Sequence, residues 1–200
     1  SGRFRAPLPN LGIYPRPVQA KLPIWVAVGG TPESVVRAAS LQLPMALAII
    51  GGQPERFAPF FDLYRQVAQE QGFDPNQIPL SVNSHGFIAD DTQTAVNEHY
   101  PIMTHNMNKI GRERGWAPAT QQQLETQRFL RGSDFVGTPD EVIEKILFQH
   151  QLFNHQRFLL YMGSNAIEHK KMMRAIELFG TKVAPVVRAE IGRRNAGDGA

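Results

Sequence analysis

The stretch VAVGGTPESVVRAAS (26–40) runs from apolar residues through a Gly-Gly turn into the start of a helix. AIIGGQPERFAPFF (48–61) repeats the device, and FVGTPDEVIEKI (135–146) echoes it in part. A short, fully apolar run entering such a turn suits a strand of a buried parallel sheet. Working outward, IWVAV (24–28), MALAII (45–50), IPLSVNSHGFIAD (78–90) and RFLLYM (157–162) read as strands. Helical periodicity follows each, and no hairpin signal joins one strand to the next. That is the α/β pattern of parallel β/α units. Four units make half of an eight-unit barrel, and a complete one typically takes about 250 residues. The chain has 200. It is therefore either a small open α/β sheet or part of a barrel.

Between the strands, Thr31 can cap a helix with Pro32 in its first turn. A second helix carries Phe57, Phe60, Phe61, Tyr64, Val67 and Ala68 on one face and ends at Gly72. Residues 92–114 read as helical, with a kink or break forced at Pro101. Residues 115–134 are polar, Gln-rich and irregular, the profile of a lid or mobile segment. A helix is expected over 139–150. Another runs from about Asn165 to Phe179 and stops at Gly180, and a last segment reaches about Ile191. The proline-rich residues 1–23 form an extended lead-in to a single domain spanning 1–200.

Composition narrows the class. Apolar residues make up 42% and charged residues 20%, which is ordinary for a globular protein. No apolar run is long enough to span a membrane, and no signal peptide is visible at the start. Cysteine is absent, which excludes disulfides and thiolate sites and fits the cytoplasm. The net charge is +3. Lys182, Arg188, Arg193 and Arg194 are too sparse, and too free of aromatic platforms, for a nucleic-acid footprint. Since the chain does not begin with Met, a fragment or a trimmed product is expected.

The three turns differ in what they offer a ligand. A glycine-rich turn feeding a helix aims free N–H groups at one point, where anions and above all phosphate are favoured. In the third copy, Thr138 and Glu141 form a capping box that satisfies those donors internally. The second, with Gln53 and Arg56, is a poor cap; it either packs only, or Arg56 answers a nearby anion. In the first, Thr31 and Ser34 place two hydroxyls on one side, while Gly29 and Gly30 allow close backbone approach. Glu33 counts against a phosphate there, and a plain capped βα turn is the competing reading.

His85 sits near the end of the third strand, where parallel α/β folds carry chemistry. Asn83 shares its face. His85 either moves a proton or bonds a ring, or it is a packed core histidine. His169 opens the helix after the fourth strand, at a second candidate position or simply on the surface. His99 and His105 lack helical metal-pair spacing, His150 and His155 flank a loop, and no metal site is expected. Nucleophile-elbow, Walker and dinucleotide fingerprints are absent.

Taken together, GIYPRPVQAKLPIWVAVGGTPESVVRAASLQLPMALAIIGG, SHGFIADD, MNKIGRERGWAPAT, FVGTPDEVIEKI and RFLLYM with EHKKMMRAIELFGTKVAPVVR resemble the bacterial luciferase-like, flavin-dependent monooxygenases. The likeness runs from residue 2 to residue 188 and matches the C-terminal half of a (β/α)8 barrel. It implies that reduced FMN, or a deazaflavin, is held by its phosphate at Gly29, Gly30, Thr31 and Ser34. It implies a catalytic or substrate-positioning role for His85 and Asn83. Related sulfonate monooxygenases have a basic residue where this chain has Asn83. Arg128 and Arg131 fall in the family's mobile insertion and His169 in its last loop, where the family's glycines and proline are missing. The implied partners are a small organic substrate, a flavin reductase, and either further copies of the chain or an N-terminal half barrel. The alternative is a non-catalytic half barrel that binds flavin weakly or is completed by a partner.

Overall fold

The computed structural model describes residues 2–163 and 166–197. Five parallel strands form the sheet: β1 (Val26–Val28), β2 (Met45–Ala48), β3 (Ser81–Ile88), β4 (Phe135–Gly137) and β5 (Arg157–Tyr161). β2 pairs with β1 and with the first part of β3. β3 is shared further, with β5 along Ser81–His85 and with β4 along Gly86–Ile88. Helices α1 (Pro32–Ser40), α2 (Ala58–Glu70), α3 (Thr92–Arg114), α4 (Gln121–Glu125), α5 (Pro139–Phe153), α6 (His169–Leu178) and α7 (Ala184–Gly197) fill the connections. None of the described helices is long and apolar enough to cross a membrane. The expected onset of α6 at Asn165 lies outside the described residues.

Side-chain alternation decides what this sheet buries. Val26, Val28, Met45, Leu47 and Val82 point to the helix side and pack with Val35, Ala38 and Ala39 of α1. The spacing of those three α1 residues puts them on one face of a helix. From α2, Phe61 and Tyr64 join the same core, and Phe61 stacks on Phe153 of α5 at 4.6 Å. The other face is left largely bare. Ala27, Arg157 and Tyr161 are exposed, and Ala46, Ala48 and Asn83 only half-buried. Leu159 is 36% and Tyr161 57% exposed. A parallel sheet normally covers both faces; here only the end of β3 is closed on this side, where Phe87 packs with Tyr100 of α3.

Several sequence expectations change. β4 was not expected as a strand. α3 runs through Pro101 without a break, with Ala95, Val96 and Tyr100 anchoring the turns before it. Gly180 does not stop α6: a π-helical turn over Phe179–Val183 carries the chain on into α7. A wider turn relieves the clash that Pro185 would otherwise make with the carbonyl four residues back. The span 115–134 is partly ordered, since Thr120 and Gln123 form a capping box that starts α4. Gly72 does end α2, in the left-handed region at φ 84°. Residues 2–23 form neither helix nor strand beyond one bridge between Gly2 and Arg5.

Candidate functional site

Strand register brings the first turn and His85 to one end of the sheet. Val28 pairs with Leu47, and Leu47 with Val82. β1 ends at Val28 and feeds the turn that carries Thr31, while His85 lies three residues beyond Val82 near the end of β3.

The turn after β1 presents open donors. Gly30 is held at φ 97°, a conformation that favours glycine, and a Cβ built on Gly29 would meet nothing within 4 Å. Thr31 has extended backbone and precedes α1 with no side-chain bond to a helix amide. Its Oγ1 instead donates to Ser34 Oγ at 2.8 Å, leaving the Ser34 hydroxyl proton free to donate outward. The Ser34 amide turns back to the Thr31 carbonyl at 3.1 Å. Among the described residues no protein acceptor meets the amides of Gly30, Thr31 or Glu33. Nor does the Glu33 carboxylate, on the exposed side of α1, have a hydrogen-bond or ion-pair partner there.

The third turn is internally satisfied; the second, like the first, has amides with no protein acceptor among the described residues, at Gly51, Gly52 and Gln53, but no hydroxyl side chains beside them. Glu141 Oε2 accepts from the Thr138 amide at 2.8 Å and from Thr92 Oγ1 at 2.7 Å, so the third turn is a capping box tied to α3. Arg128 reaches the same carboxylate at 3.3 Å. Arg131 pairs with Glu55 at 2.5 Å, in the short 3-10 turn after the second glycine pair. In this arrangement both candidate lid cations are answered by protein carboxylates. His169 is exposed at the start of α6.

Behind residues 127–134 lies a cation that the sequence did not single out. Lys145, on the buried face of α5, is 3% exposed. Its ammonium donates to the carbonyls of Gln127 at 3.2 Å, Arg128 at 3.0 Å, Phe129 at 2.8 Å and Asp134 at 2.5 Å. Burial pushes its pKa down to about 7 against the pull of Asp134, and burial pushes Asp134 up to about 6.

A cavity of about 440 Å³ opens beside His85, a volume typical of small-molecule sites. One wall is a single face of α3: His99, Ile102, Met103, Asn106, Met107 and Ile110. The facing wall is Tyr161, Met162 and Ile167, with the His85 and Tyr161 rings 5.4 Å apart. Burial keeps the His85 pKa below its ordinary value. His99 falls to about 4, through burial and then through the nearby His85. Both rings are therefore neutral at pH 7. The Nδ1 of His85 and the Nε2 of His99 are buried without a hydrogen-bond partner. His99 had been weighed only as a metal ligand. The signal that finds it is the stripe His99, Met103, Asn106, Ile110, whose four-, three- and four-residue steps mark one helix face. Asn83 lies lower on β3, outside the cavity lining, as do Gly29 to Ser34. No cluster able to hold a metal occurs among the described residues.

A parallel β/α sheet with open anion donors and an apolar cavity at its carboxyl end defines an α/β barrel-type ligand site. The chain belongs to the luciferase-like monooxygenase family, whose sequence model matches residues 1–156. Among solved structures it is similar to monooxygenase RslO1 from Streptomyces bottropensis. That match has 25% identity and a TM-score of 0.64, and covers 86% of this chain and 50% of that one. The FMN complex of the oxygenating constituent of 3,6-diketocamphane monooxygenase from Pseudomonas putida matches at 22% identity and a TM-score of 0.56, covering 80% and 47%. The coenzyme F420-dependent tetrahydromethanopterin reductase from Methanopyrus kandleri matches at 17% and 0.60, covering 83% and 51%. The chain thus spans about half the length of these proteins. Comparison with curated proteins gives no match.

Proposed function

We propose that the chain carries the flavin-phosphate site and part of the substrate site of a flavin-dependent monooxygenase that uses reduced FMN and O2 to oxidise a small organic substrate. The observation that carries this reading is the turn after β1, with two hydroxyls beside amides of Gly30, Thr31 and Glu33 that no protein group among the described residues takes up. FMN in one neighbour and coenzyme F420 in another make FMN the first expectation and a deazaflavin the second.

When bound, the reduced flavin supplies the electrons that allow O2 to react with the substrate. The chain's own residues bind, orient and exclude water. Gly29 and Gly30 let the phosphate approach the backbone, and Thr31 and Ser34 add hydroxyl donors. His85, a neutral imidazole that lines the cavity, orients the substrate or moves a proton, and Asn83 supports it from below on the same face. Arg128 and Arg131 act as lid cations that exchange Glu141 and Glu55 for a bound anion, and His169 borders the last loop. A separate flavin reductase in the same cytoplasm supplies the reduced cofactor.

The bare sheet face favours a second reading: a half barrel without activity of its own, completed by further copies or a partner chain. Titration of FMN, followed by quenching of its fluorescence, separates the two. The first reading expects micromolar binding that weakens at least about tenfold in Thr31→Ala/Ser34→Ala, the worth of hydrogen bonds to a charged group. Absence of FMN binding, together with self-association in the ultracentrifuge, supports the second.

A further inference from the structure

The lining of the cavity beside His85 restricts what can enter it. Ile102, Met103, Met107, Ile110 and Met162 make its walls mostly apolar. The two imidazoles in it are held neutral by burial. Among the described residues its only charged lining groups are Lys109 and Glu113, opposite in sign, exposed, and one helical turn apart. An anion entering this space would lose its hydration, and the exposed Lys109, with Glu113 beside it, would repay little of that cost. The thioethers of Met103, Met107 and Met162 adapt to irregular apolar shapes. His85 and His99 both line the cavity, and a neutral imidazole can donate or accept.

We propose that this cavity takes an uncharged, predominantly apolar organic molecule whose single polar group is held between His85 and His99, and that it rejects organic anions of the same size. As the identity of a substrate, the inference rests on the monooxygenase reading; as a statement about binding, it stands on the cavity alone.

The test is NMR of the chain labelled with 13C at its methionine methyls, without flavin. Octan-2-one and octane-1-sulfonate, matched in chain length, are titrated separately. Octan-2-one should shift the methyls of Met103, Met107 and Met162 saturably, and the sulfonate should bind at least tenfold more weakly. Met107→Glu should abolish the ketone shifts while the amide spectrum stays folded; if that variant unfolds, the wild-type pair of titrations still decides. Equal or tighter binding of the sulfonate, or no shift with the ketone, overturns the proposal. Loss of FMN binding with ketone binding intact would instead strike the monooxygenase reading and leave this one standing.

Discussion

His155 shows how much a single buried side chain can impose on the whole chain's behaviour. It sits between α5 and β5, 4% exposed, with Nδ1 unpartnered. Burial first, then His150 and Arg65, push its pKa down to about 3; His99 lies at about 4. Free histidine titrates near 6.5. Below that pH the unfolded chain binds protons that the folded chain refuses. Stability is complete above about 6.5 and is lost as pH falls, by roughly 1.4 kcal/mol per pH unit for each histidine. Urea midpoints between pH 7 and pH 4.5 should therefore decline steeply, and His155→Phe should flatten that decline. An unchanged slope in the variant would refute this account. The sequence placed His85 at a strand end but set His155 beside a loop, because burial by residues far along the chain leaves no local mark. His99 was more legible, since its helical stripe was there to be counted.

Among the elements, α5 does the most tying. Partial burial alone would raise the Glu141 carboxyl, but hydrogen bonds from Thr138 and Thr92, with Arg128 nearby, hold it below the ordinary range. Glu141→Ala should cost about 1–2 kcal/mol, the scale of a lost cap, read from the shift in urea midpoint. One turn on, Lys145 fastens the 127–134 segment through four carbonyls. Lys145→Met should speed hydrogen exchange at the amides of Gly132 and Asp134, which bond to Phe129 and Gln127. The expected gain is roughly tenfold or more, from the worth of charged hydrogen bonds. Unchanged protection would show that the segment holds itself. Lys145 also sets a pH trend: its folded pKa of about 7 lies below the free value of about 10.4. Stability should thus rise from pH 7 toward pH 10 in the wild type and not in Lys145→Met. The sequence announced the Thr138–Glu141 box because capping is local. The lid was read as irregular because its anchor comes from a lysine on the next helix. β4 was hidden because a three-residue strand is shorter than the turn signature that follows it.

At the scale of the molecule, the alternation that buried Val28, Leu47 and Val82 also left Ala27, Leu159 and Tyr161 uncovered. Apolar runs feeding glycine-rich turns made the parallel sheet legible, but those runs alone could not say that one face would lie open. β1 and the outer side of β5 add unpaired edges, which invite association. The chain should sediment as a concentration-dependent oligomer, and Leu159→Glu should shift it toward the monomer. A monomer at every concentration would show that this face tolerates water by itself.

The three methionines walling the cavity carry a chemical liability. Oxidants such as hydrogen peroxide convert a thioether to a sulfoxide, giving up one oxygen and leaving water, and the product is polar. Oxidation of Met103, Met107 and Met162 would turn a greasy wall into one that favours water. The cavity should then lose its affinity for octan-2-one before the fold is lost, and peptide mass spectrometry after peroxide treatment would record the order of events.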